Sequence, residues 1–272
     1  MRLSRLFLMP LALVALAACH DNGVSVNERP PLGGVRFINA VPDGGPVDIR
    51  MVDQVEWSAS SVNSNSYGLA FRSGTIYWPT EAKARHVRVF PTDSLLANTT
   101  TVLLDTTITV EANKNVTLML VGSRAAGGKI GFVKFDDTVT PPADQVAVRL
   151  VNATSSARSG FVTSDTTSAL GTATFGTVAP LSASAYVTRP TGKFFMQSTP
   201  AGSTSPASFS IAPTGAPADG LIGVTAGYNG PGSALSAFVF PASVTGTAAP
   251  QTTAFKTPGV VFFVDFIPAP PH

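Results

Sequence analysis

The chain has 272 residues, 18 of them basic and 16 acidic, with 24 Gly, 22 Pro and a single Cys. Charged residues make up only 12% of it, about half the share usual in soluble domains. No Lys/Arg run is present to displace counterions from phosphate backbones, which argues against nucleic-acid binding, and one cysteine cannot close an intramolecular disulfide.

At the start of the chain, Arg2 and Arg5 precede an uncharged apolar run over residues 6–18. A spanning helix needs about 20 apolar residues, so this run reads as a signal peptide, residues 1–18, and not as a permanent anchor. It ends Leu16-Ala17-Ala18-Cys19, which resembles the lipobox of bacterial lipoproteins, where small residues fit the peptidase and the cysteine sulfur takes the lipid. The expected mature chain starts at lipidated Cys19 and is tethered to the membrane by acyl chains, each buried CH₂ contributing about 0.8 kcal/mol. The residue after Cys19 is His20, not the aspartate that resembles an inner-membrane retention signal, so a cell-envelope position at the outer membrane is expected. Loss of the leader also removes Arg2 and Arg5, leaving 16 basic residues against 16 acidic ones. Residues 19–33 hold too few apolar side chains to bury anything and read as a flexible tether.

The organising stretch follows. Val35-Arg36-Phe37-Ile38-Asn39-Ala40 is an apolar run that stops at Pro42-Asp43-Gly44-Gly45 and resumes at Val47-Asp48-Ile49, the pattern of two short strands about a tight turn. Its core returns at Val148-Arg149-Leu150-Val151-Asn152-Ala153, so the chain reads as two copies of one β module. Helix signals are scarce, because Gly, Pro, Ser and Thr interrupt every window of helical spacing outside the leader. In the first module, residues 34–137, strands are expected near 35–39, 47–52, 67–71, 75–78, 85–90, 101–110, 115–122 and 129–135. Val87 and Val89 share one strand face, whereas residues 116–121 are apolar on both faces, as a central strand is. Residues 138–144, with Pro141-Pro142, read as a semi-rigid linker.

The second module, residues 145–272, keeps the opening strand at 146–152 and a late pair at 221–228 and 234–240, around a looser middle rich in Ser, Thr and Ala. Residues 260–267 form a strongly apolar last strand. Such a strand at an open edge invites aggregation, so it is expected within a sheet. The fold class is all-β: two tandem immunoglobulin-like β-sandwich modules of about 100 residues each.

Both modules resemble the bacterial family known as domain of unknown function 4397, whose members open with an Arg/Val strand, an Asn-Ala or His-Ala step, Pro-Asp and Val-Asp. Val35-Arg36-Phe37, Asn39-Ala40, Pro42-Asp43 and Val47-Asp48 carry that pattern, and Phe135-Asp136-Asp137 is similar to the family's closing strand. The second copy has neither Pro-Asp nor Val-Asp after Asn152-Ala153. The resemblance, over residues 34–245, implies a β-sandwich repeat with no established activity.

Catalytic equipment is not recognisable. The histidines His20, His86 and His272 form no zinc spacing, no Gly-x-Ser-x-Gly elbow occurs, and Gly227 to Gly232 reads as a turn and not a phosphate loop. The chain is therefore expected to be non-enzymatic, with no catalytic residues and no cofactor. Asp43 and Asp48 are weak calcium candidates, since exported sandwiches hold Ca²⁺ on oxygen-rich loops, although an aspartate in a Pro-Asp-Gly-Gly turn also caps its own backbone. Trp57, Tyr67, Tyr77 and Trp78 are candidate ligand-binding aromatics, with core packing as the simpler role. Adjacent strand residues face opposite ways, so one ring of Tyr77-Trp78 leaves the core unless both faces are covered. The expected function is that of a lipid-anchored structural, adhesive or binding element with an envelope glycan or protein as partner, the alternative being a glycan-binding lipoprotein that uses these aromatics or the loop carboxylates.

Overall fold

The structure, a computed structural model, describes residues 30–53, 66–92, 101–205, 207–212 and 229–268. Apart from one 3-10 turn at Thr253–Phe255, its regular elements are strands. In the first half these are β1 (Leu32–Asn39), β2 (Val47–Met51), β3 (Ser66–Leu69), β4 (Trp78–Glu81), β5 (Ala84–Pro91), β6 (Leu104–Thr109), β7 (Asn115–Gly122) and β8 (Ile130–Asp136). They divide into two sheets of order β4-β1-β7-β8 and β3-β2-β5-β6. The second half contains β9 (Gln145–Asn152), β10 (Arg158–Thr163), β11 (Phe175–Val178), β12 (Ser182–Ala183), β13 (Val187–Pro190), β14 (Phe195–Pro200), β15 (Ser208–Ile211), β16 (Ala234–Phe240) and β17 (Gly259–Phe266). These give the sheets β12-β9-β16-β17, with β13 also on β9, and β11-β10-β14-β15.

Each half is thus a two-sheet sandwich, and the two share a connectivity. The opening strand runs parallel to the penultimate one in both, β1 beside β7 and β9 beside β16. The registers match residue for residue: Arg36 lies opposite Thr117 and Arg149 opposite Ser236. Phe135 and Phe263 follow as the partners of Thr117 and Ser236. Repetition in sequence has become repetition in hydrogen-bond register.

Period-two alternation then sorts the side chains into three apolar layers. Val35, Phe37, Ile49, Val87, Val89, Leu118 and Leu120 fill the first sandwich, and Val148, Leu150, Phe194, Met196, Leu235 and Val239 the second. The opposite faces of β1, β7, β9 and β16 are not solvated. Ile38, Met119 and Phe135 meet Val151, Phe238 and Phe240 in a third layer that joins the sandwiches. Phe238 stands edge-on to Phe135 and to Phe263, with centroids 6.3 and 5.3 Å apart. A strand such as β7, apolar on both faces, is required where a sheet serves two cores at once.

One expectation is corrected here. Among the described residues the last strand, β17, does not lie inside its sheet; it is an edge, paired there with β16 alone. Its protection comes from its two faces. Phe262 and Val264 pack on the second core, Val261 and Phe263 on the shared layer, and the Val264 carbonyl accepts a hydrogen bond from Arg36. Edge exposure is a hazard only when a flat apolar strand is also uncovered.

Candidate functional site

The side chains singled out from sequence go to different places. Cys19 and Trp57 lie outside the described residues, as does the strand expected at 221–228. Tyr67 lies in β3, its side chain outside the described set. Asp43 accepts hydrogen bonds from the Ser123 hydroxyl and from the Arg124 and Ala125 N–H groups at 2.9 and 3.1 Å, so it ties the first turn to the β7–β8 turn. Asp48 accepts from Gly68 N–H at 2.9 Å, from Thr92 Oγ1 at 2.6 Å and from Arg50 at 3.0 Å. Burial would raise both carboxyls, but these donors outweigh it and hold them below the usual range. The two aspartates share no site, and among the described residues no group of three His, Cys, Asp or Glu is placed to hold a metal. His86 sits on the outer face of β5 beside Asp105, which also accepts from Arg88 at 2.8 Å.

Tyr77 and Trp78 illustrate the case in which both faces of a strand are covered. Trp78 lies opposite Val35 on the first-core face, half-buried, its indole Nε1 lacking a partner among the described residues. Tyr77 turns the other way, into the layer between the sandwiches. There its hydroxyl donates to Asp137 at 2.7 Å, and its ring lies 4.6 Å beneath the Arg36 guanidinium.

That contact belongs to a closed ring of buried polar groups. Arg36 Nε donates to Thr117 Oγ1 at 2.9 Å, and the Thr117 hydroxyl donates to Asp137. Asp137 also accepts from Arg149, whose Nε donates to Ser236 Oγ at 2.7 Å. The Ser236 hydroxyl donates to Asp265 at 2.6 Å, and Asp265 accepts from Arg36 at 2.7 Å, which closes the circuit. Tyr186 repeats Tyr77: it donates to Asp265 at 2.8 Å and underlies Arg149 at 4.6 Å. Each arginine bonds first to the hydroxyl opposite it in its own sandwich, then crosses to the carboxylate of the other.

The physical chemistry of the ring is that of a clamp. Two cations and two anions, none more than 4% exposed, cancel one another in a place where an isolated charge would cost several kcal/mol. Burial pushes the Asp137 carboxyl above the usual range; Arg36 pulls it back, Asp265 pushes it up and Arg149 pulls it down. Burial alone would lower Arg36 and Arg149, yet the surrounding acidic groups raise both. Burial and the aspartates keep the Tyr77 and Tyr186 hydroxyls protonated. Beside the ring a groove of about 670 Å³, lined among others by Tyr77, Phe263, Asp265 and the 66% exposed Ile76, opens to solvent.

A family model described as domain of unknown function (DUF4397) matches residues 33–159. Residues 33–159 belong to the DUF4397 family. The DUF4397 segment contains the first sandwich from the second residue of β1 onward, together with β9, and so holds Arg36, Tyr77, Thr117, Asp137 and Arg149 of the ring. No curated protein matches the chain. Among solved structures, the Bacillus anthracis TIE protein aligns over 63% of this chain at 13% identity with a TM-score of 0.19. This chain spans 28% of that protein's length, and a score so low carries no argument.

Sequence reasoning on the DUF4397 pattern singled out Arg36, Arg149 and Asp137 within motifs but not the ring. The missing half was present as weak echoes. Phe135-Asp136-Asp137 is repeated as Phe263-Val264-Asp265, and Thr75-Ile76-Tyr77 as Ser184-Ala185-Tyr186. Matched register is what makes these echoes visible.

Proposed function

We propose that the chain is a non-enzymatic, lipid-anchored protein of the cell envelope, held at the outer membrane through Cys19, with a structural, adhesive or binding role. In this reading the tether lets a stiff two-sandwich body stand off the membrane, and the body acts through the surfaces and loops it displays. The observation that carries it is the fate of the most chemically capable side chains. Asp43, Asp48, Asp137 and Asp265 all accept several internal hydrogen bonds, and Arg36 and Arg149 divide their donors between a hydroxyl of their own sandwich and a carboxylate of the other. Groups committed in this way hold shape and are poorly placed to turn over a substrate. The glycan-binding alternative would have to use surfaces other than the Tyr77 ring, which is stacked under Arg36.

The anchor is tested by growing cells on labelled palmitate. Label should enter the wild-type chain and be lost in Cys19→Ser, with the variant released from the membrane fraction. A wild-type chain that takes up no label overturns the anchored reading. Retention on cell-wall or capsular polysaccharide beads that Trp78→Ala abolishes would instead favour the glycan-binding alternative.

A further inference from the structure

At one matched position of the internal repeat a charge replaces an apolar side chain. The residue two places before the Gly74/Ala183 position adopts a left-handed backbone in both halves, Arg72 with φ 64° and Leu181 with φ 54°. Leu181 is 39% exposed, whereas Arg72 is buried at the seam. Its guanidinium donates to the carbonyls of Ala254 at 3.0 Å, Pro241 at 2.6 Å and Thr257 at 2.5 Å, and lies 5.0 Å over the Phe255 ring. Its buried Nε has no hydrogen-bond partner among the described residues. Arg158 is the second cation here, 5% exposed; among the described residues its side chain donates hydrogen bonds to Ser198 alone, Nε to Oγ at 3.4 Å and Nη2 to the carbonyl at 3.1 Å.

Both arginines line one pocket of about 470 Å³ with Ser208, Phe209, Thr257 and Gly259. Among the described residues neither has a carboxylate partner, and no acidic residue appears among those that line the pocket. This is the reverse of the ring, where every arginine is matched by an aspartate. Burial lowers both guanidinium pKa values, that of Arg72 to about 10, the mark of a cation short of compensation. Gly259 keeps space beside Arg72, since a Cβ there would lie 2.4 Å from Nη1. Phe209, 56% exposed, stands at the lining with an apolar face.

We propose that this pocket is an oxyanion site in which Arg72 and Arg158 together hold a sulfate, phosphate or carboxylate group. A buried guanidinium that lacks a counter-ion gains most from such a group, because its planar donors match the spacing of the oxygens. Phe209 offers packing to the C–H surface of a larger molecule that bears the anion. The site is independent of the lipid anchor: it rests on the seam's geometry and stands or falls without Cys19.

The test is calorimetric titration of the full mature chain with sulfate, phosphate and acetate at constant ionic strength in chloride. Saturable binding of at least one anion is expected, weakened about tenfold or more in Arg158→Gln and Arg72→Gln and partly kept in Arg158→Lys. Should either glutamine variant unfold by circular dichroism, crystals soaked in selenate decide, with an anomalous peak expected between the two guanidinium groups. Alginate, a polymeric carboxylate, separates the sources. Binding about tenfold tighter than acetate marks an anion carried on a glycan, and equal binding marks a free anion. No saturable heat with any of the three anions, binding undiminished in a folded Arg158→Gln, or a selenate peak elsewhere overturns the proposal.

Discussion

Arg36 and Asp265 meet at 2.7 Å although 229 positions separate them, and each is supplied by a different sandwich. Asp265→Asn should therefore destabilise by about 3–5 kcal/mol in urea unfolding, the usual cost of leaving one member of a buried pair without its partner. Removing the charge from both sides, as Arg36→Met with Asp265→Leu, should cost less than the two single changes summed. A strictly additive double-mutant cycle would sink the idea that the ring acts as a unit.

The shared aromatic layer predicts how the molecule melts. Because Phe238 touches Phe135 of the first sandwich and Phe263 of the second, neither half can lose its fold without uncovering the other's apolar face. Heat unfolding is expected to show a single transition with calorimetric and van't Hoff enthalpies equal. Phe238→Ala should cost about 3–5 kcal/mol without splitting that transition. Two resolved transitions in the wild type would mean that the sandwiches are only loosely docked.

Asn39 and Asn152 offer a matched pair of tests. Each is fully buried, accepts the N–H two residues on (Val41 at 3.0 Å, Thr154 at 2.9 Å) and donates to the end of the neighbouring strand (Leu69 at 2.9 Å, Val178 at 3.1 Å). Asn39→Leu and Asn152→Leu should each cost on the order of 1–3 kcal/mol, because buried backbone groups lose their partners. A near-neutral result at either position would show that the bonds are dispensable there.

Acid should act through the turns. Asp165 accepts from Ser168 N–H at 2.7 Å and Thr167 N–H at 2.9 Å, which lowers its pKa to about 2. A depressed folded value means that the stabilisation is present above the unfolded value of about 3.9 and is lost as pH falls through about 2. Asp43 and Asp48 shift in the same direction, so the three together favour the fold at neutral pH and weaken it on acidification. Asp137 opposes them: its value is raised, so its contribution is fully present below the unfolded pKa and lost as pH rises through the folded one. A carboxyl-detected NMR titration checks this, and an Asp165 midpoint near 4 would refute it.

Much of the fold was legible in the chain. The strands expected at 115–122 and 234–240 are β7 and β16 at those bounds, and the repeated Arg-x-x-Asn-Ala opening marks β1 and β9. Both-face apolarity at residues 116–121 signalled a central strand but not its second partner, because hydropathy records that a side chain avoids water and not what it touches. The edge position of β17 was misread for the same reason: a strand covered on both faces has the composition of an interior one. Tyr77 looked like a ring that a sugar could stack on until its hydroxyl was seen to end on Asp137.

What the sequence alone determined is local: strand period, turn chemistry and the opening motif that appears twice, each of which depends on residues within a few positions of one another. Only the tertiary structure decided that Arg36 pairs with Asp265 and Arg149 with Asp137, and that Arg72 and Arg158 face one pocket without an acid. Ion pairing in a buried layer depends on which faces two sheets turn to each other, and that orientation is set by the packing of three cores at once.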